Sequence, residues 1–225
     1  MECSTGFYQN KESTSECISC KAGTYQPNLA RKTCLSCIRG YFCPKASSVP
    51  IPCGNKTLFC PANSSVALSV EKGYYSLPAT EEKALVRESQ EICPRGYACS
   101  AGIKSNCDKE GEFADELGLN VCKLAPPGTV PNSARTGLSN CTSGTYSIGT
   151  KSNCTSCDAN KFSSERAAFC NPCSSCGVGE SIKKNCTSSS DSECGECEAG
   201  TASTGIEVGG CKPCGDGFYS SSKAG

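Results

Sequence analysis

Residues 170–197 read CNPCSSCGVGESIKKNCTSSSDSECGEC, six cysteines in 28 residues, and the chain contains seven C-x-x-C pairs in all. Cysteines at this spacing can hold zinc, run thiol–disulfide exchange or close structural loops. A zinc site needs four ligands, commonly two C-x-x-C pairs or one pair with histidines, and the chain has no histidine. Four cysteines could still be drawn together, but they recur at the spacing of covalent loops, with about a dozen residues between partners. Thioredoxin-like exchange needs a βαβ context that the pattern does not supply. The lack of histidine also excludes Ser-His-Asp and Cys-His catalysis within these residues. Glu81 with Glu82 and Asp115 with Glu116 sit in polar runs, and GVGES at 177–181 lacks the Lys-Ser/Thr of a phosphate loop. The reading is therefore non-enzymatic, with no catalytic residue, no metal ligand and no cofactor.

What must position these sulfurs is a chain poor in core-forming residues. Twenty-three cysteines in 225 residues exceed the roughly 8–10% that marks a disulfide scaffold. There is one Met, no Trp and seven Phe, against 48 serines and threonines. Such a chain builds no sizeable core, and covalent loops take its place. Cysteine this dense persists in an oxidising compartment, so the location read from composition is extracellular or cell-surface. Basic and acidic residues balance at 22 each, which argues against nucleic acid or an anionic membrane as partner. The most apolar run, SSVALSV at 64–70, is too short to insert into a membrane. The secretory composition without a leader sequence suggests a segment of a longer chain, begun and ended inside a repeat.

The repeat is explicit. Cys3, Cys20 and Cys37 are 17 residues apart, Cys141, Cys157 and Cys173 are 16 apart, and Cys197 and Cys214 again 17. The shared formula is C-x-x-G-x-aromatic, about ten polar residues, then C-x-x-C. The glycine permits positive φ and a sharp turn after the sulfur, and Asn160, the next most tolerant residue, stands where it is missing. The aromatic (Tyr8, Tyr25, Phe42, Tyr146, Phe162, Tyr219) is placed to cover the neighbouring disulfide, while Ala202 breaks the rule. The expected fold is small disulfide-rich repeats forming an elongated rod of short stapled β-hairpins with little helix.

The string C-x12-C-x2-C-x2-C-x9-C-x7-C from Cys157 to Cys194, with Asp191 before the last cysteine, resembles a tumour-necrosis-factor-receptor cysteine-rich repeat. That resemblance implies Cys157–Cys170, Cys173–Cys186 and Cys176–Cys194. The shorter units resemble the repeats of ephrin receptors, which implies Cys3–Cys17, Cys20–Cys34, Cys141–Cys154 and Cys197–Cys211. By parity, Cys214 is left unpaired as the first cysteine of a cut unit. The wording GYFCP, GYYSLP and CPRGYAC across roughly 40–125 is similar in style to large cysteine-rich surface proteins of unicellular eukaryotes.

In the irregular middle, 37–60 and 93–122 each carry four cysteines, which allow three connectivities. Alternate pairing gives Cys37–Cys53 with Cys43–Cys60, and Cys93–Cys107 with Cys99–Cys122. Between them, VALSVEKGYYSL alternates around Lys72-Gly73 and reads as a hairpin, and ATEEKALVRESQEI as a short helix or exposed loop. The organisation read from these patterns is two short repeats in 1–36, a four-cysteine module with a hairpin or loop insertion in 37–92, and a second four-cysteine module in 93–136. Receptor-like repeats follow in 137–196, and a cut repeat in 197–225.

Asn55, Asn63, Asn140, Asn153 and Asn185 head glycosylation sequons, three of them directly before a cysteine. Two functions follow. One is a structural stalk, coat or filament-forming element of a secreted or cell-surface glycoprotein, whose partners are other extracellular proteins, copies of itself and its N-linked glycans. The other is a receptor ectodomain with a binding surface, for which Tyr74, Tyr75 and Arg87 in the cysteine-free stretch are the candidate cluster.

Overall fold

The computed structural model describes residues 2–10, 16–78, 85–205 and 210–216. Among the described residues there is no helix, and 24 short strands form twelve separate antiparallel pairs, each between neighbours in sequence. Hairpin follows hairpin: Phe7–Tyr8 with Ile18–Ser19, Thr24–Tyr25 with Leu35–Ser36, and so on to Thr201–Ala202 with Lys212–Pro213. The chain divides into two compact bodies, Met1–Cys107 with Ala114–Cys122, and Asp108–Phe113 with Lys123–Gly225.

One backbone contact recurs from repeat to repeat among the described residues. The residue that opens a repeat donates its amide to the turn carbonyl of the repeat before it. Cys20 donates to Gly6 at 2.9 Å, Cys37 to Gly23 at 2.9 Å, Cys53 to Gly40 at 2.9 Å and Cys93 to Gly73 at 2.8 Å. The same bond joins Cys141 to Gly128, Cys157 to Gly144, Cys173 to Asn160 and Cys197 to Gly179. Two openings carry no cysteine: Val70 donates to Thr57 and Ala125 to Gly111. Val70 and Ala125 therefore head full repeats, with Gly73 and Gly128 three residues on and Tyr75 and Val130 at the aromatic position.

Apart from Thr57, the turn residue is glycine or asparagine, for two reasons. Its φ is positive, as at Gly6 (80°) and at Asn160 (61°), which takes the glycine's place. It also packs against another repeat's backbone: a Cβ on Gly128 would lie 2.1 Å from the carbonyl oxygen of Arg166. Within each body, a second contact returns an amide from the middle of a repeat to the opening residue of its predecessor, as from Ala46 to Cys20 and from Arg166 to Cys141.

The core is sulfur. Cys3, Cys20, Cys37, Cys43, Cys53, Cys60, Cys93, Cys99, Cys107, Cys141 and Cys197 are buried, whereas Tyr8, Tyr25, Phe42, Tyr146 and Phe162 are only half-buried beside them. Tyr219 lies outside the described residues. The residue after the aromatic is buried and polar in several repeats, and its side chain finds hydrogen-bond partners within its own repeat or in the one before. Ser163 Oγ donates to the Thr145 carbonyl at 2.9 Å and accepts from the Gly144 amide at 3.1 Å.

The structure joins Cys3–Cys17, Cys20–Cys34, Cys141–Cys154, Cys157–Cys170, Cys173–Cys186, Cys176–Cys194 and Cys197–Cys211, and leaves Cys214 free. The middle departs from the alternate pairing. Instead of Cys37–Cys53 with Cys43–Cys60, it forms Cys37–Cys43 and Cys53–Cys60. Instead of Cys93–Cys107 with Cys99–Cys122, it forms Cys93–Cys99 and Cys107–Cys122. The register supplies the reason. Cys37, Cys53, Cys93 and Cys107 each open a different repeat, so alternate pairing would tie separate hairpins together. The position that closes a loop elsewhere holds Pro50, Ala67 and Lys104 in the repeats opened by Cys37, Cys53 and Cys93. The thiol at the end of the first strand closes a local loop instead, with Cα–Cα separations of 5.9, 5.7 and 5.6 Å, inside the normal range for a disulfide.

The hairpin expected around Lys72-Gly73 is also absent. Leu68–Ser69 pairs back with Leu58–Phe59, and Tyr74–Leu77 pairs forward with Ser89–Ile92. Gly73 is a repeat's opening turn, not a hairpin tip. In ATEEKALVRESQEI, Ser89–Ile92 is a strand, not helix or loop; residues 79–84, including Glu81 and Glu82, lie outside the described residues.

Candidate functional site: the Tyr75 cleft

The repeat opened by Val70 lacks a cystine, and polar side chains hold its strands. Gln90 stands where the closing cysteine would be. Its Oε1 accepts from the Glu71 amide at 2.9 Å and its Nε2 donates to Glu71 Oε1 at 3.1 Å. Strand Tyr74–Leu77 pairs with Ser89–Ile92, setting Tyr75 opposite Glu91. The Tyr75 hydroxyl donates to Glu91 Oε2 at 2.8 Å. This bond to a carboxylate, with burial and the carboxylate's charge, raises the Tyr75 pKa above its ordinary value.

Tyr75, Ser76, Arg87, Lys56, Gly102, Ile103 and Lys104 line a cleft of about 130 Å³. Ser76 Oγ donates to the Lys56 carbonyl at 2.8 Å. Lys104 Nζ lies 4.7 Å from the Tyr75 ring centre and 5.0 Å from that of Tyr97, a cation held over two aromatic faces. The exposed hot spot expected from Tyr74, Tyr75 and Arg87 takes another form. Tyr74 is half-buried, while Tyr75 and Arg87 are 8% and 1% exposed. Successive strand residues point to opposite faces, which separates Tyr74 from Tyr75. Arg87 Nη1 donates to the Pro78 carbonyl, while its Nε and Nη2 are buried without a hydrogen-bond partner among the described residues. Lys104, Ser76 and Glu91 were not legible as members of this site, because only the folded register brings 56, 75–76, 87–91 and 102–104 together.

The sulfurs of Cys173 and Cys186 and a carboxylate oxygen of Asp191 lie within 4.8 Å of one another. Those sulfurs are joined in a disulfide, so they present no thiolate to a metal. Asp191 braces the loop instead. Its Oδ2 accepts from Ser174 Oγ at 2.6 Å, and its Oδ1 from the amides of Ser174 and Ser192, each at 2.7 Å. These bonds hold its pKa below the ordinary value, the Ser174 hydroxyl contributing most. Asn55, Asn63, Asn140, Asn153 and Asn185 are all exposed. The Asn140 amide donates to Glu165 Oε1 at 3.0 Å, and Asn55 Oδ1 accepts from the Thr57 amide at 2.9 Å.

Residues 157–194 match the TNFR/NGFR cysteine-rich region family, and residues 6–51 match the family described as tyrosine-protein kinase ephrin type A/B receptor-like. The chain is 30% identical over 129 residues to tumor necrosis factor receptor superfamily member 19 of Homo sapiens, covering 54% of this chain and 28% of that protein. It is 29% identical over 126 residues to the Mus musculus protein of the same name, with 53% and 28% coverage. The chain thus spans less than a third of the length of these relatives. No helix among the described residues is long and apolar enough to cross a membrane. Residues 157–194 are thus similar to TNFR-type cysteine-rich repeats, and residues 6–51 to ephrin-receptor-like ones.

Proposed function

We propose that this chain is a non-enzymatic, cysteine-rich segment of a secreted or cell-surface glycoprotein, serving as a structural stalk, coat or filament-forming element. The observation that carries the reading is the repeated amide-to-turn-carbonyl bond, kept even where Val70 and Ala125 replace cysteine. A chain that keeps its backbone register while changing its side chains is selected for spacing and rigidity. Disulfide density supports an oxidising, extracellular setting, and the exposed sequons support N-linked glycans on its surface. Strand edges left open by its two-stranded sheets give such a chain a means of docking other extracellular proteins or copies of itself.

A receptor ectodomain is the second reading, favoured by the TNFR-type match over 157–194. Electron microscopy of oxidised, glycosylated residues 1–225 over a concentration series separates the two. Filaments or ordered lateral arrays support the structural element. Separate particles at every concentration count against it and move weight to the receptor reading.

A further inference from the structure

We infer that the Tyr75 cleft is an oxyanion site that takes one carboxylate from an acidic side chain of a partner polypeptide. This does not depend on the structural reading above. The arginine guanidinium is a permanent cation, and Arg87 is 1% exposed. A buried cation is costly unless paired. Its Nη1 is satisfied by the Pro78 carbonyl, but Nε and Nη2 have no partner among the described residues. Those two groups lie on one edge of the planar guanidinium, the edge whose parallel N–H bonds match the two oxygens of a carboxylate. Glu91, the carboxylate that the strand pairing sets opposite Tyr75, is committed to the Tyr75 hydroxyl.

The cleft beside Arg87 has the size and lining for such a guest. Its volume of about 130 Å³ is bounded by Tyr75, Gly102 and Ile103 on its apolar walls and by Lys104 as a second cation. An anion entering between apolar walls is best carried on a short aliphatic stem, as in glutamate, with its charge removed from bulk water where the pairing is strongest. Lys104, now over the Tyr75 ring, is exposed and within the same lining to meet the incoming charge.

The test uses the full oxidised chain labelled with ¹⁵N, and follows the Arg87 Nε–H resonance, assigned by its loss in Arg87→Lys. The probe is the peptide acetyl-Gly-Glu-Gly-amide, with acetyl-Gly-Gln-Gly-amide and inorganic sulfate as separate arms. The glutamyl peptide should move the Arg87 resonance saturably and bind roughly 10- to 100-fold more tightly than the glutaminyl peptide, the ratio expected for charge-assisted hydrogen bonds. The wild-type titration is decisive even if Arg87→Lys folds poorly, because Tyr75 and Lys104 resonances should move with it. Equal responses to the two peptides, or none, would overturn the proposal. So would tighter binding of sulfate than of the glutamyl peptide, which would assign the fork to a sulfated ligand. An Arg87 resonance already at its ion-paired position in the free chain would also overturn it, since an acid of the chain itself would then hold the fork.

Discussion

Changing Ala125 and Leu138 together to cysteine should create a twelfth disulfide, because these residues occupy the opening and closing positions of a repeat that has lost its staple. The opening position is fixed by the Ala125 amide bonded to Gly111. The closing position is fixed by the pairing of Leu138–Asn140 with Thr129–Pro131, which ends directly before Cys141. The neighbouring Cys141–Cys154 loop spans 13 residues, as does the interval from 125 to 138. Closing a loop of this length removes about 3 kcal/mol of unfolded-state entropy. Little is lost in exchange. Leu138 is 39% exposed, so trimming it costs on the order of 1 kcal/mol or less. Ala125 is 2% exposed, at a site that holds a buried sulfur in most other repeats.

The assay is native-state hydrogen exchange in a Cys214→Ser background, so that no other free thiol competes, with peptide mapping under non-reducing conditions. A net gain of roughly 2–3 kcal/mol slows local opening by roughly 30- to 150-fold, and it should be confined to amides of Thr129–Pro131 and Leu138–Asn140. Two free thiols, or pairing of either with Cys122 or Cys141, would refute the register. A new bond with no local slowing would refute the account of what the staple does.

Gly128→Ala and Gly200→Ala both place a side chain at positive φ, 79° and 84°, but only the first meets another repeat's backbone, 2.1 Å from Arg166 O, while the second has nothing within 4 Å. Gly200→Ala should cost about 1–2 kcal/mol from backbone conformation alone, and Gly128→Ala clearly more; equal secretion yields and thermal midpoints would contradict this. Asp191 has a depressed pKa in the folded chain, so its bracing is present above the unfolded value and lost as pH falls through the folded one. The protection factor of the Ser174 amide, its exchange corrected for the intrinsic rate at each pH, should therefore fall in acid in the wild type, and Asp191→Asn should remove that dependence. Tyr75 has a raised pKa, chiefly from its bond to Glu91. Its contribution is full below the unfolded tyrosine value and fades as pH rises through the folded one; absorbance titration should show a late-ionising tyrosine that Tyr75→Phe deletes.

The hairpin repeats could be read from sequence because each carries its own instructions. The glycine after the opening cysteine demands the turn, and a run of polar residues before C-x-x-C brings the chain back. Four cysteines in a row defeated the same reading, because spacing alone does not say which ones open repeats. The signal existed: Gly73 and Tyr75 stand three and five residues after Val70, and Gly128 three after Ala125. A search keyed to sulfur passes over a repeat whose opening residue is valine or alanine. Counting those repeats places Pro50, Ala67 and Lys104 at closing positions, which leaves Cys43, Cys60 and Cys99 only a local partner. The cleft was illegible for a different reason. Arg87 and Tyr75 looked like exposed recognition residues, yet their burial depends on Gly102 and Lys104, which reach them through pairing between repeats and not through any local pattern.

The account rests most heavily on the claim that one backbone register runs through the repeats of the middle. Non-reducing proteolysis and mass spectrometry of the secreted chain tests it directly. The expected linkages are Cys37–Cys43, Cys53–Cys60, Cys93–Cys99 and Cys107–Cys122, as the structure joins them. Peptides linking Cys37 to Cys53, or Cys93 to Cys107, would tie separate hairpins together and contradict the register.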